Sequence, residues 1–152
     1  MDAKYDYIIH TDGAFSKVND EGAFAFILCD GNNVELQRKG WKQKKNTGGT
    51  NNRMELKAIM AAIYHLPPDA KRILIESDSQ YALNTLSGKY KRHKNLDLFA
   101  YFDKMMEEKD IDITWKWVKG HSGDMYNEFC DGMCQMILGY DPSNEYKRFK
   151  KE

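Results

Sequence analysis

The chain has 152 residues, of which 41% are hydrophobic and 30% charged, and this suits one compact domain with a real core rather than a disordered segment. Its 23 Lys and Arg balance 23 Asp and Glu, so binding to a polyanion would require basic residues gathered in patches. The three cysteines argue against a disulfide framework or a structural zinc site, because the count is odd and no pair has zinc-finger spacing.

The sequence predicts neither a signal peptide nor a membrane span. Residues 1–6 contain no apolar run, which argues against a signal peptide. No stretch approaches the ~20 apolar residues of a membrane span. The use of cysteine fits a reducing compartment, so we expect a cytoplasmic protein that does not associate with a membrane.

Three strands, each followed by a turn, begin the chain and predict an antiparallel meander. The first helix follows, with apolar Leu56, Ile59, Met60 and Ile63 at helical spacing. After it, strands alternate with helices. The predicted strands are residues 5–11, 22–30, 34–43, 72–77 and 111–117, and the predicted helices are residues 51–66, 79–86, 96–108 and 124–138.

The order βββ-α-β-α-α-β-α predicts an α/β fold. Because the later strands alternate with helices, we expect them to pair in parallel with the first strand. The result is a five-stranded mixed sheet with helices packed on it. We assign residues 1–140 to this domain and residues 141–152 to a basic C-terminal tail, which we expect to be flexible.

Four carboxylates are candidates for one site. Asp12 and Asp78 follow the first and fourth strands, and parallel neighbours would bring both acids to the same edge of the sheet. Glu55 and Asp131 lie at the borders of apolar helix faces, from which their side chains can reach that edge. Clustered acids need cations, and hard oxygen ligands select magnesium or manganese. Two such ions can cleave a phosphodiester.

Each acid also has an ordinary structural interpretation. Asp12 suits a turn, and Glu55 has the spacing of a capping box with Asn52. Asp78 suits a helix N-cap, and Asp131 an exposed helix face. The convergence of all four, together with the residues around them, favours the metal site.

Five stretches contain these acids and their neighbours. They are Thr11-Asp12-Gly13, Thr50-Asn51-Asn52-Arg53-Met54-Glu55-Leu56, Ser77-Asp78-Ser79-Gln80-Tyr81, Val118-Lys119-Gly120-His121-Ser122-Gly123, and Asn127-Glu128 with Cys130-Asp131 close behind. In this order they resemble the type 1 ribonuclease H family, over nearly the whole chain from Tyr5 to Leu138. The Asn-Asn-Arg-Met-Glu-Leu and Lys-Gly-His-Ser-Gly runs together are highly specific, and the predicted element order agrees with that fold.

The resemblance implies an endonuclease that hydrolyses the RNA strand of RNA–DNA hybrids and leaves 5′-phosphate and 3′-hydroxyl ends. It implies that Asp12, Glu55, Asp78 and Asp131 hold two Mg²⁺ ions, for which Mn²⁺ can substitute. It places His121 on a loop beside the site, where it assists proton transfer or product departure. The glycines on either side of His121 predict that this loop moves.

Substrate contacts follow from the same resemblance. Asn52 and Gln80 should reach the minor groove, where their amides can read the 2′-hydroxyl and base edges. Asn51 is a weaker candidate, with helix capping as its alternative. Thr50 and Asn127 match family positions that grip a phosphate of the DNA strand.

Two segments depart from many relatives. Residues 15–22 replace a Gly-Asn-Pro-Gly turn. A short basic link at residues 87–94 replaces an extra helix and a basic protrusion, and its Tyr90 either rests against DNA sugars or is simply solvated. Without the protrusion, we expect weaker hybrid affinity and stronger salt sensitivity.

Two other functions compete with this interpretation. One is a non-catalytic hybrid-binding module on the same fold, which the presence of all four acids disfavours. The other is a nuclease of the same superfamily, such as a resolvase-like enzyme, since fold alone does not separate these activities. We expect a monomer with no obligatory protein partner.

Overall fold

The computed structural model describes residues 4–144 and 146–147. Nine elements follow one another in the predicted order. They are β1 (Tyr7–Ser16), β2 (Glu21–Asp30), β3 (Glu35–Gln43), α1 (Asn51–Tyr64), β4 (Arg72–Ser77), α2 (Gln80–Leu86), α3 (Leu96–Glu108), β5 (Asp112–Trp117) and α4 (Met125–Ile137). No helix in this described part of the chain is both long and apolar enough to cross a membrane.

The strands form one mixed sheet in the order β3-β2-β1-β4-β5, which confirms the predicted five-stranded architecture. β2 runs antiparallel to both β1 and β3, while β4 runs parallel to β1 and to β5. The parallel pairing of β1 with β4 begins at Tyr7 and Ile73 and ends at His10 and Glu76. Beyond those last two residues β1 and β4 no longer pair with each other, and a site can form between them at this edge of the sheet.

The two faces of the sheet are covered by different helices. α1, α2 and α3 pack on one face in a cluster that includes Ile9, Phe26 and Ile59. α4 packs on the other face, where buried Cys130 meets Ile8 and other apolar side chains. Cys130 and Cys134 are both free and buried, as their helical spacing predicts. Each face of the sheet thus carries a helix that can present a side chain at the shared edge.

β1 is longer than predicted. The sequence suggested that the strand ends at Thr11, because Asp12 and Gly13 look like a turn. In the structure, antiparallel pairing with β2 continues through Asp12 to Ser16, so Asp12 lies within the strand. The altered stretch at residues 15–22 consists of the paired strand ends and a tight turn at residues 17–20.

Gly13 is required for packing rather than for a turn. A Cβ at this position would lie 2.4 Å from the backbone nitrogen of Glu55 and the carbonyl carbon of Met54. Such a distance is impossible between non-bonded atoms. Gly13 therefore lets the first turn of α1 rest directly on β1.

The predicted tail begins with an ordered turn. Tyr146 is only 4% exposed, and its ring lies 5.6 Å from that of Phe129 on α4. Gly132 leaves room for it, since a Cβ there would lie 2.1 Å from Tyr146 Cδ2. One aromatic side chain of the predicted tail thus fits over a glycine of the helix, while the flexibility of residues 141–152 stays a prediction. The basic residues Arg148, Lys150 and Lys151 lie outside the described residues.

Candidate active site

Asp12 and Asp78 lie at the same edge of the sheet, at equivalent positions after the paired parts of β1 and β4. Each lies two residues beyond the last parallel pair of its strand, His10 with Glu76, so both extend the same face of the sheet. Glu55 joins them from α1, five residues after the N-cap residue Thr50. Single carboxylate oxygens of Asp12, Glu55 and Asp78 lie within 4.8 Å of one another.

The start of α1 fixes Glu55. Thr50 is the N-cap residue, and its hydroxyl accepts a hydrogen bond from the Arg53 N–H at 3.1 Å. The sequence suggested a capping box between Asn52 and Glu55, but the structure has Thr50 as the N-cap residue instead. The carboxylate of Glu55 instead accepts a hydrogen bond from the backbone N–H of Gly13. Glu55 thus faces the sheet rather than its own helix end.

Asp131 stands beside this trio rather than within it. It lies on α4, its side chain is 17% exposed, and its charge raises the pKa of Asp12 behind the larger effects of burial, Glu55 and Asp78. With His121 and Glu128 it forms a second group of possible metal ligands. The structure therefore brings three of the four predicted acids into one cluster and places the fourth at its border.

The clustered acids resist ionisation. Burial, followed by the charges of Glu55, Asp78 and Asp131, raises the pKa of Asp12 well above its usual range. Burial and the charge of Asp78 raise the pKa of Glu55 to about 8. Burial also raises the pKa of Asp78, and a hydrogen bond from Asn127 opposes this only in part. Because their pKa values are raised, these carboxyl groups hold protons that a bound cation would displace.

The donor set fits a divalent metal ion. Glu55 is buried, and among the described residues its Oε2 has no hydrogen-bond partner. Neighbouring carboxylate oxygens complete a group in which all donors are hard. A cation bound here would satisfy the orphaned oxygen and neutralise the repulsion that raises the pKa values.

His121 lies at the border of the cluster. Its Nε2 is 4.0 Å from Asp131 Oδ2, and its Nδ1 is 3.2 Å from the carboxylate of Glu128. The side chain is 58% exposed. Its φ of +56° lies in the left-handed region, which Asn, Asp and His adopt more often than other non-glycine residues.

The sequence model of the RNase H family matches residues 4–137. The chain belongs to the RNase H family. A Treponema denticola protein named Ribonuclease H is 31% identical over 161 residues, covering 86% of this chain and 98% of that protein. The chain is thus a ribonuclease H-type hydrolase.

Solved structures agree on the RNase H fold. The N-terminal RNase H domain of a Mycobacterium tuberculosis protein superposes with a TM-score of 0.75 at 16% identity, covering 90% of this chain and 95% of that one. A second, LC11-RNase H1 in complex with an RNA/DNA hybrid, gives a TM-score of 0.66 at 18% identity and covers 74% and 85%. At these identities the likeness supports the fold alone.

The predicted substrate residues of this RNase H fall into two groups. Most are exposed and free to meet a ligand, and these are Thr50, Asn51, Asn52, Gln80 and Tyr90. Asn127 differs, because it is buried at 4% exposure and donates a hydrogen bond to Asp78. Asn127 therefore orients a carboxylate of the cluster, while its predicted phosphate contact stays a prediction.

The sequence did not reveal three residues that contact Asp78 or His121 and help to position them. Trp117 donates from Nε1 to the Asp78 carbonyl at 3.1 Å, and Gly120 passes so close that a Cβ would lie 3.0 Å from Asp78 Oδ2. Glu128 is fully buried beneath His121. All three stand in or beside the family stretches, but only contacts in space reveal what they do.

Proposed function

We propose that the chain is an endonuclease that cleaves the RNA strand of RNA–DNA hybrids by two-metal-ion catalysis, leaving 5′-phosphate and 3′-hydroxyl ends. The observation that carries this proposal is the trio of Asp12, Glu55 and Asp78, whose oxygens approach within 4.8 Å. The carboxylates repel one another when no cation is bound, and bound divalent cations would both remove this repulsion and support phosphodiester hydrolysis. The RNase H relatives, one of them solved with an RNA/DNA hybrid, support the choice of substrate.

The carboxylates hold the ions. Asp12 is positioned by the sheet, Glu55 by the N–H of Gly13, and Asp78 by Asn127 and the loop around Gly120. Asp131 completes the set from α4. The chemistry that two Mg²⁺ ions supply here, when bound, is activation of a water molecule and stabilisation of the oxygen that leaves phosphorus.

His121 serves the proton transfer. Its Nε2 faces Asp131 at the border of the site, while its Nδ1 is held by Glu128, so the ring presents one nitrogen to the substrate side. More than half of the side chain is exposed, which leaves Nε2 accessible to a departing 3′-oxygen or to product. Mn²⁺ is expected to replace Mg²⁺, because both accept hard oxygen ligands.

Recognition of the hybrid is assigned to the exposed polar side chains around this edge. Asn52 and Gln80 would read the minor groove, with Asn51 secondary to them, and Thr50 would grip a phosphate of the DNA strand. The buried Asn127 would contact the same phosphate from beneath, in addition to its hydrogen bond to Asp78. Tyr90, 51% exposed, would rest against a sugar or base from the basic link at residues 87–94. The protein is expected to act as a monomer in the cytoplasm.

A panel of four nucleic acids tests the proposal. The protein is offered an RNA–DNA hybrid, duplex RNA, duplex DNA and a four-way junction with Mg²⁺, and the ends of any product are mapped. Cleavage confined to the RNA of the hybrid, with 5′-phosphate ends, supports the proposal. Cleavage of the junction, or of no substrate, refutes it.

Asp12→Asn ties the activity to the site. The substitution should abolish cleavage while the circular dichroism spectrum stays native, and removal of one buried charge should raise the melting temperature. Asp110→Asn is the matched control, because Asp110 is an exposed acid in a surface ion pair with Lys71. If Asp12→Asn cleaves at the wild-type rate, Asp12 does not belong to the catalytic site.

A further inference from the structure

We infer that the turn containing Ser143 and Tyr146 is a positioning element for His121, and that it acts through the buried carboxylate of Glu128. This turn lies outside residues 4–137, the part of the chain that matches the family. The inference rests on the proposed function, since it assumes that His121 takes part in hydrolysis.

Glu128 is an unusual residue for the interior of a helix that packs on a sheet. It is 0% exposed, yet it pairs with an exposed loop residue and not with a buried base. Both of its carboxylate oxygens lie 3.2 Å from His121 Nδ1. Burial of a carboxylate is costly unless donors bind it, and the His121 ring is the donor that the loop provides to Glu128 Oε2.

Ser143 supplies the second donor. Its hydroxyl oxygen accepts a hydrogen bond from the Tyr146 N–H at 3.1 Å, and its own proton is directed to Glu128 Oε2 at 3.2 Å. One hydroxyl therefore caps the turn and binds the carboxylate at once. The orientation of the Glu128 carboxylate depends on this turn remaining in place.

Tyr146 fixes the turn to α4. Its ring is buried over Gly132, one helical turn beyond Glu128, and meets Phe129 edge to face at an angle of 80°. Because no side chain other than hydrogen fits at Gly132, this helix position is shaped for the tyrosine. Tyr146, Ser143, Glu128 and His121 form a continuous chain of contacts from the turn to the border of the carboxylate cluster.

His121 depends on such support. Its backbone φ of +56° lies in the left-handed region, and the contacts of its ring with Glu128 and Asp131 help to hold the loop in this conformation. Loss of the contact between His121 Nδ1 and Glu128 should change the loop conformation and move Nε2 away from Asp131. Glu128 is thus a positioning residue, and its effect should appear in kcat rather than in KM.

Ser143→Ala and Gly132→Ala test the inference in the full chain. The first removes the donor to Glu128, and the second displaces the Tyr146 ring while placing a better helix former in α4. Each should lower kcat for hybrid cleavage by about tenfold with little change in KM, because misplacement of a catalytic group by ~1 Å is costly. Each should also shift the ring-nitrogen NMR signals of His121, a readout that does not need activity. Ser143→Thr should retain both properties.

A double-mutant cycle separates positioning from general destabilisation. In a His121→Ala background, Ser143→Ala should cause no further loss of kcat. Tyr7→Phe is the matched control, since it removes one hydrogen bond, to Asp69, at the other end of β1 and should leave kcat and the His121 signals unchanged.

Two results would overturn the inference. One is unchanged His121 ring signals in both Ser143→Ala and Gly132→Ala, and the other is an equal loss of kcat in the His121→Ala background. If the wild-type protein cleaves no hybrid, the proposed function fails, and the ring signals alone decide whether the turn positions His121.

Discussion

His10 and Glu76 form a buried ion pair directly beneath the carboxylate cluster, with 3.0 Å between the imidazole Nδ1 and the carboxylate Oε2. The other ring nitrogen lies 2.8 Å from Asn33 Oδ1, so an imidazolium satisfies both oxygens. Burial alone would lower the pKa of His10, but its hydrogen bonds with Cys29, Glu76 and Asn33 outweigh burial and raise the pKa to about 10.

The ion pair predicts a pH dependence of stability. His10 binds its proton more tightly in the folded protein, so its contribution is complete below pH 6.5 and is lost as the pH rises toward about 10. Glu76→Gln should lower the free energy of unfolding by about 3 kcal/mol at pH 6, as expected for a buried ion left without its partner. Urea titrations at pH 6 and pH 9.5 measure this. A loss that does not shrink at the higher pH would contradict the assignment.

The carboxylate cluster predicts that Mg²⁺ stabilises the fold in a pH-dependent manner. The raised pKa of Glu55 means that the metal-free protein loses stability as the pH rises from 4.5 to about 8. Mg²⁺ at ~100 times its Kd should restore about 2.7 kcal/mol near pH 8. At pH 5, protons occupy the cluster and the gain should be small. Unfolding with Mg²⁺ or with chelator at both pH values measures the difference, and Asp12→Asn should reduce it.

Gly13→Ala should damage stability and catalysis together. The added methyl group would meet the backbone of α1, which cannot yield as a side chain can, so we expect a loss of about 1–3 kcal/mol and displacement of Glu55. Gly40→Ala is the control, because its methyl group meets only side-chain atoms, and the one tight contact, at 2.8 Å, is with the terminal carbon of Ile137. Denaturation and kcat are measured for both variants. Equal behaviour of the two would show that the contact between β1 and α1 is unimportant.

Tyr90→Ala should weaken hybrid binding. An aromatic stacking contact is worth roughly 1–3 kcal/mol, so KM should rise by about tenfold or more while kcat stays near the wild-type value. Tyr101→Ala is the matched control, since Tyr101 is similarly exposed at 56% but lies on α3 beside the groove formed with α1. Binding is measured over a salt series. If the two variants bind alike, Tyr90 is a solvated surface residue.

Most of the fold could be predicted because periodicity reports it directly. The apolar faces of α1 and α4 and the alternation of strands with helices led to the observed element order. The end of β1 was wrong, because Asp12-Gly13 is also a common turn sequence and only pairing with β2 extends the strand. A glycine needed for close approach cannot be distinguished by its sequence from one needed for a turn.

The sequence predicted the clustered carboxylates of the candidate site but not the buried residues that support them. Asp12, Glu55 and Asp78 converge because strand direction and helix position determine their placement. The burial of Asn127 and Glu128 was not predictable, since it depends on the angle at which α4 crosses the sheet. The anchoring of Tyr146 was hidden as well, because the polar residues around it resemble an unstructured tail.

The thiols of α4 offer a way to follow the opening of this structure. Cys130 and Cys134 donate to the carbonyl oxygens of His10 and Asp12, and burial raises the pKa of both thiols. Alkylating reagents require a thiolate in contact with solvent, so neither cysteine can react until α4 separates from the sheet. The rate of modification therefore measures how often the native protein exposes the backbone that supports Asp12.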